Sequence, residues 1–265
     1  ACLTYSELVL QGYLTPMQMA EKMSYNPAKI VGIDKGDIQP GKIADIVIFD
    51  VQKEKAQAVA DEIAASTGRR TAVYEVDVTD PAQVKAGIDA AAEKMGGLDG
   101  LFNNAGIVIH KSAYDVKPEE WAHVINVNLN GEYYMASEFA RYLKANNKKG
   151  SIVNTASMSG HIVNWPQEQA SYNASKAAVM QMTKSLAVEY CHDNIRVNCI
   201  SPGYMKTELC VFVNQEWQDR WMDLTPYGRY GVPEELCGAV IYLMSDSASF
   251  TSGCDLVVDG CFTCV

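Results

Sequence analysis

ADIVIFDVQKEKAQAVADEIAASTGRRTAVYEVDVTD, residues 44–80, decides the fold. Ala44 to Asp50 is a nearly continuous apolar run ending on an acid, the pattern of a parallel strand buried on both faces. A helical pattern rich in alanine follows from Lys53 to Ala65, and Thr67-Gly68 stops it. TAVYEV then reads as a second strand, closed by Asp77. Strand, helix and strand in sequence make a βαβ unit.

The alternation continues outward toward the C-terminus. A helix starts at the Asp80-Pro81 turn and runs through Lys94 to the stop at Gly96-Gly97. GLDGLF is a short strand entering NNAG (103–106), and residues 117–146 are helical with an interruption near Asn128. SIVNTA, a helix containing Tyr172, RVNCI, the helix PEELCGAVIYLM and the strand DLVV complete the series. The expectation is an α/β fold, a doubly wound, Rossmann-like parallel sheet covered on both faces. Right-handed crossovers bring the loops after the strands to one edge, where ligands bind.

SMSGHIVNWPQEQASYNASK, residues 157–176, carries the chemistry. Tyr172 and Lys176 stand four apart on a helix and so share a face. An adjacent ammonium favours the phenolate, which makes a tyrosine usable as an acid or base near neutrality. Ser157 opens a Ser-x-x-Gly directly after the strand SIVNTA, where a hydroxyl could orient a substrate oxygen. Tyr-x-x-x-Lys alone arises by chance in many helices, so its meaning rests on its company. Ser159 is the competing hydroxyl, and the Ser-x-x-Gly register selects Ser157.

The company is DVTD (77–80), NNAG (103–106), NVNLNG (126–131), PGYMKT (202–207) and LVVDG (256–260), in that order around Ser157, Tyr172 and Lys176. From about Ala44 to the C-terminus this series resembles the short-chain dehydrogenase/reductase family, and most closely its sugar and polyol oxidoreductases of the sorbose reductase and mannitol dehydrogenase kind. The resemblance implies an enzyme using NAD or NADP and passing a hydride to or from a sugar, polyol or related ketone. It implies Tyr172 as the acid or base, Ser157 orienting the oxygen, Lys176 tuning the tyrosine and binding ribose, and Asn128 supporting a proton relay. It further implies that Asn104, Ala105 and Gly106 leave room for cofactor, that Asp77 and Val78 border the adenine, and that Thr207, after Pro202 and Gly203, meets the nicotinamide amide. Asp50 matches the acidic position that binds the adenosine ribose and repels a 2′-phosphate, which favours NAD. Residues 204–229, rich in Tyr, Met, Trp and Phe, are expected to form a substrate lid or an ordinary amphipathic helix pair.

The first fifty residues do not fit that family. The glycine-rich turn that should precede ADIVIFD, with a helix N-terminus facing the pyrophosphate, is missing, and Pro40-Gly41 would break a helix there. LTPMQMAEKMSYNPAKIVGIDKGDIQPGKIADIVIFD instead resembles the C-terminal segment of dihydroorotase and related amidohydrolases. It carries none of their metal-binding histidines or aspartates. The expected division is an atypical segment at 1–43 and a reductase-like domain at 44–265. Either YSELVL or KIVGI could fill the vacated central strand, with KIVGI marginally favoured. Two other readings compete: a non-catalytic, cofactor-deficient scaffold, and a metal-dependent amidohydrolase.

The 265 residues include 48% hydrophobic and 20% charged positions, ordinary for a globular chain, and a net charge of −10 argues against nucleic acid or an anionic membrane. No apolar run reaches about 18 residues, so no transmembrane helix is expected. With no basic region followed by an apolar one at the N-terminus and cysteines such as Cys199 and Cys237 inside apolar segments, a cytoplasmic protein with reduced, buried thiols is expected. No metal site is expected, Cys261-x-x-Cys264 being a lone pair of thiols. Apolar residues on several faces of the helices around 132–143 and 170–190 predict a homodimer or homotetramer.

Overall fold

The computed structural model describes residues 45–207, 210 and 213–265. The segment 1–43, with its amidohydrolase-like pattern and the strand candidates YSELVL and KIVGI, lies outside the described residues. The chain divides into two compact units, Ala44–Met244 with Phe250–Val265, and residues 1–43 with Ser245–Ser249.

The larger unit alternates strands and helices. Strand β1 (Ile46–Asp50) is followed by helix α1 (Lys53–Thr67), β2 (Thr71–Glu75), α2 (Pro81–Met95) and β3 (Gly100–Asn103). Next come α3 (Pro118–Ile125), a π-helical stretch (Asn126–Gly131), α4 (Glu132–Ala145) and β4 (Gly150–Thr155). The chain ends with α5 (Ala170–Tyr190), β5 (Ile195–Pro202), α6 (Gln215–Leu224), α7 (Glu234–Met244) and β6 (Asp255–Val258). Local chemistry sets the boundaries. Asp80 caps α2 by accepting from Ala82 N at 2.9 Å and Gln83 N at 3.3 Å, with Pro81 pre-set for the first turn. Gly68 ends α1 at φ 67° and Gly96 ends α2 at φ 78°, left-handed positions suited to glycine.

All strand pairs are parallel, as the βαβ pattern requires. They form two sheets among the described residues, β1–β2 and β3–β4–β5–β6, where one continuous sheet was expected. Among the described residues no strand links the two sheets. Phe102 on β3 is accordingly 41% exposed. One hydrophobic cluster still spans the elements, uniting Val76, Val84 and Ile88 with Phe139, Leu143, Ile152 and Val197, with Phe49 and Leu101 against it.

The interruption near Asn128 is a widened helix rather than a break. At Gly131 an added Cβ would stand 2.6 Å from Val78 Cγ2, so the absent side chain admits the turn after β2. Cys199 is buried as expected, but Cys237 is exposed because α7 buries only Leu243 fully. No described helix is long and apolar enough to cross a membrane.

Candidate active site

The loops after β3, β4 and β5 and the first turns of α5 enclose a cleft of about 330 Å³. Ser157, Tyr172, Lys176, Asn104, Gly106, Pro202, Gly203 and Thr207 all line it, so residues spread over a hundred positions of sequence meet at one sheet edge. Asp50, Asp77, Val78, Ala105 and Asn128 are not among its walls. Asp50 ends β1 exposed, and its carboxylate accepts from Gln52 N at 2.7 Å. Asp77 accepts from both Thr79 N (2.9 Å) and Thr79 Oγ1 (2.7 Å), which gives it a turn-forming role, while α2 takes its cap from Asp80.

Helix α5 presents Tyr172 and Lys176 from successive turns, and Lys176 Nζ lies 5.9 Å from the Tyr172 ring centroid. Lys176 is 2% exposed, and its ammonium donates to Thr155 O and, at 3.2 Å, to Glu132 Oε1. Ser157 begins the 3-10 turn Met158–Gly160, and its Oγ accepts from Ser159 N at 3.1 Å. That contact uses an acceptor lone pair and leaves the Ser157 hydroxyl proton free to donate. Ser159 is differently engaged, accepting from Gln169 Nε2 at 3.3 Å within a buried amide network that joins Asn164, Gln167 and Tyr204.

Gly160 fixes the distance between this turn and α5. A Cβ there would meet Ala177 N at 2.8 Å and Lys176 C at 2.9 Å. The second close approach is Gly203, where a Cβ would be 2.7 Å from Asp259 Cα. Asn128 is fully buried and its amide is spent on positioning: Oδ1 accepts from Ile107 N at 2.8 Å, and Nδ2 donates to Ile107 O (2.9 Å) and Ser175 Oγ (3.1 Å). It thereby ties the loop after β3 to α5. A Cβ on Gly106 would lie 3.6 Å from both Asn128 Oδ1 and Lys176 Nζ, so bare backbone leaves open space beside the lysine.

Residues expected as a lid are partly core. Tyr204 stacks on Trp221 at 4.2 Å and 10°, and both are buried. Burial pushes the Tyr204 phenol up, out of the range of a neutral-pH acid.

Two site residues escaped the sequence reading. His110 lines the cleft edge-on to Trp217 at 5.5 Å, with Nδ1 buried and unpartnered among the described residues. Burial lowers its pKa, favouring the neutral ring. Glu132 is a fully buried carboxyl beside Lys176, pushed up to about 7 by desolvation and pulled back by the lysine's charge. A histidine in a loop and a glutamate opening a helix look like surface residues until the fold buries them.

Residues 42–263 match the family model described as Enoyl-(Acyl carrier protein) reductase. The chain is 40% identical over 221 residues to the NADP-dependent mannitol dehydrogenase of Hypocrea jecorina, covering 83% of this chain and 82% of that protein. It is 41% identical over 211 residues to a sorbose reductase of Schizosaccharomyces pombe, covering 79% and 82% respectively. A short-chain type dehydrogenase/reductase from Mycobacterium marinum superposes with a TM-score of 0.81 at 40% identity, covering 84% of this chain and 87% of that one. With this cleft, strand order and similarity, the chain belongs to the short-chain dehydrogenase/reductase family and is an NAD(P)-dependent enzyme of that family.

Proposed function

We propose that the protein interconverts a sugar or related ketone and the corresponding polyol, using NAD(P). The observation that carries this reading is the convergence of Ser157, Tyr172 and Lys176 in one cleft beside the side-chain-free Gly106. Open backbone at Gly106, with Asn104, Pro202, Gly203 and Thr207 around it, fits the nicotinamide half of the cofactor. Ala105, Asp77 and Val78 are assigned to the adenosine side on the family resemblance alone, since none of them lines the cleft. When bound, nicotinamide gives or takes a hydride at the substrate carbon.

Tyr172 gives its hydroxyl proton to the ketone oxygen in reduction and, as phenolate, takes the alcohol proton in oxidation. Ser157 donates its free proton to the same oxygen and fixes its position. Lys176 supplies the positive charge that favours the phenolate, and Asn128 supports the relay by holding the loop and helix around it. The polar wall of His110, Gln167 and Gln169 suits a hydroxylated substrate, in keeping with the relatives named for mannitol and sorbose.

Asp50 supports NAD over NADP, since an exposed carboxylate there repels a 2′-phosphate. The mannitol dehydrogenase relative is named NADP-dependent. Titration with both dinucleotides by nicotinamide fluorescence, followed by polyol oxidation with each, tests this reading. Tighter binding and faster turnover with NAD support it, and no binding of either overturns it. A cofactor-deficient scaffold is the second reading, favoured by the divided sheet. Residues 1–43 are read as a separate, amidohydrolase-tail-like segment on sequence alone. Exposed apolar residues on α4 and α5, such as Tyr133 and Val188, support a homodimer or homotetramer, which light scattering at micromolar concentration tests.

A further inference from the structure

Glu132 has no place in the chemistry just described, yet it touches the residue that chemistry depends on. Its side chain is 1% exposed and that of Lys176 3%, with Nζ to Oε1 at 3.2 Å. The other oxygen, Oε2, is buried without a partner among the described residues. An ionised carboxylate seeks several donors when buried, and contacts with Lys176 and the Thr155 backbone that still leave one oxygen orphaned are a costly arrangement. The carboxyl is therefore poised between two states, a neutral acid and a partly satisfied anion.

We propose that Glu132 is a positioning residue for the proton-transfer pair: its carboxyl holds Lys176 Nζ at the floor of the cleft and sets how much of the lysine's charge reaches Tyr172. This rests on the proposed role of Tyr172 and Lys176. An ionised Glu132 makes a neutral pair with Lys176 and screens the tyrosine from the ammonium. A neutral Glu132 leaves the ammonium uncompensated, so the phenolate is favoured. The change of state falls close to neutrality, because burial opposes the lysine's attraction.

The surroundings leave few other charges to act. Lys176 comes from α5, and Thr155 on β4 contributes backbone only. Cys199 on β5 feels the Glu132 charge, but burial and Asp255 keep it a neutral thiol. From β3, Asn103 donates to the Glu132 backbone carbonyl at 3.0 Å, an uncharged contact. On α2, Lys85 is turned away, bound to Asp89 at 2.7 Å and lying 3.8 Å from Glu138.

The test is a 13C NMR titration of ring-labelled tyrosine in the free protein, with Tyr172→Phe assigning the signal. In Glu132→Gln the Tyr172 signal should titrate about one pH unit lower than in wild type, about tenfold more phenolate at a given pH. Should that variant not fold, the wild-type protein still decides: its Tyr172 signal must show a step near pH 7 as Glu132 ionises. A variant that melts lower while the Tyr172 titration stays unmoved, or a wild-type signal with no such step, overturns the proposal. Because no substrate or cofactor is needed, a protein that turns over no polyol would refute the assigned function and leave this result standing.

Discussion

Replacing Gly160 with alanine probes whether the Ser157 turn is held against α5 as tightly as the geometry requires. The new methyl would stand 2.7 Å from Met180 Cε, 2.8 Å from Ala177 N and 2.9 Å from Lys176 C. Met180 can swing aside, but the other two atoms are backbone of the helix that carries Tyr172 and Lys176. The turn or the helix must then retreat by several tenths of an ångström. Overpacking of this kind costs about 1–3 kcal/mol, which for a domain of this size lowers Tm by roughly 2–12 °C. Displacing Ser157 from Tyr172 by up to about 1 Å should also cut turnover by up to about 10²-fold. Gly68→Ala is the control, since nothing lies within 4 Å of its Cβ and only its φ of 67° is strained. It should lose about 1 kcal/mol without loss of turnover. Thermal unfolding and steady-state polyol oxidation on both variants decide the matter. A Gly160→Ala protein that melts with wild type and keeps its turnover would refute the reasoning.

Ser157→Ala should lower kcat on the order of 10²-fold, whereas Ser159→Ala, acting through the amide network, should cost less; equal losses would undo the choice between them. Stability should also carry the mark of Glu132. Its carboxyl titrates near 4.5 when unfolded and about 7 when folded. Between those values the native state binds more protons than the unfolded state, so stability falls as pH rises and levels off above 7. Glu132→Gln should remove that decline in denaturant melts taken across the same range. Grafting a strand, glycine-rich turn and helix from an intact relative in place of residues 1–43 should tighten NAD(H) binding, because pyrophosphate affinity comes largely from that turn. Unchanged affinity would place the binding energy elsewhere.

Every described strand and long helix was legible in the sequence because apolar period and glycine stops act locally, as at Gly68 and Gly96. The cleft was legible for the same reason: NNAG, Ser157 and Pro202-Gly203 each follow a strand, and parallel topology carries strand ends to one edge. What stayed hidden depends on contacts between distant segments. The π-helical widening at Asn126–Gly131 answers Val78 from another loop. Glu132 becomes a buried acid only when α4 meets α5, and His110 becomes a cleft wall only when α6 brings Trp217 beside it. Asn128, expected to support the relay, is held in place by hydrogen bonds to Ile107 and Ser175 that the sequence does not show.

The most direct test of the central claim is polyol oxidation followed by nicotinamide absorbance in the wild-type protein and in Tyr172→Phe. The variant removes one hydroxyl from the cleft wall and should fold as wild type does. Turnover in the wild type that vanishes in the folded variant is the predicted result. Near wild-type turnover in Tyr172→Phe would contradict the account, as would a wild-type protein that binds dinucleotide and oxidises no polyol.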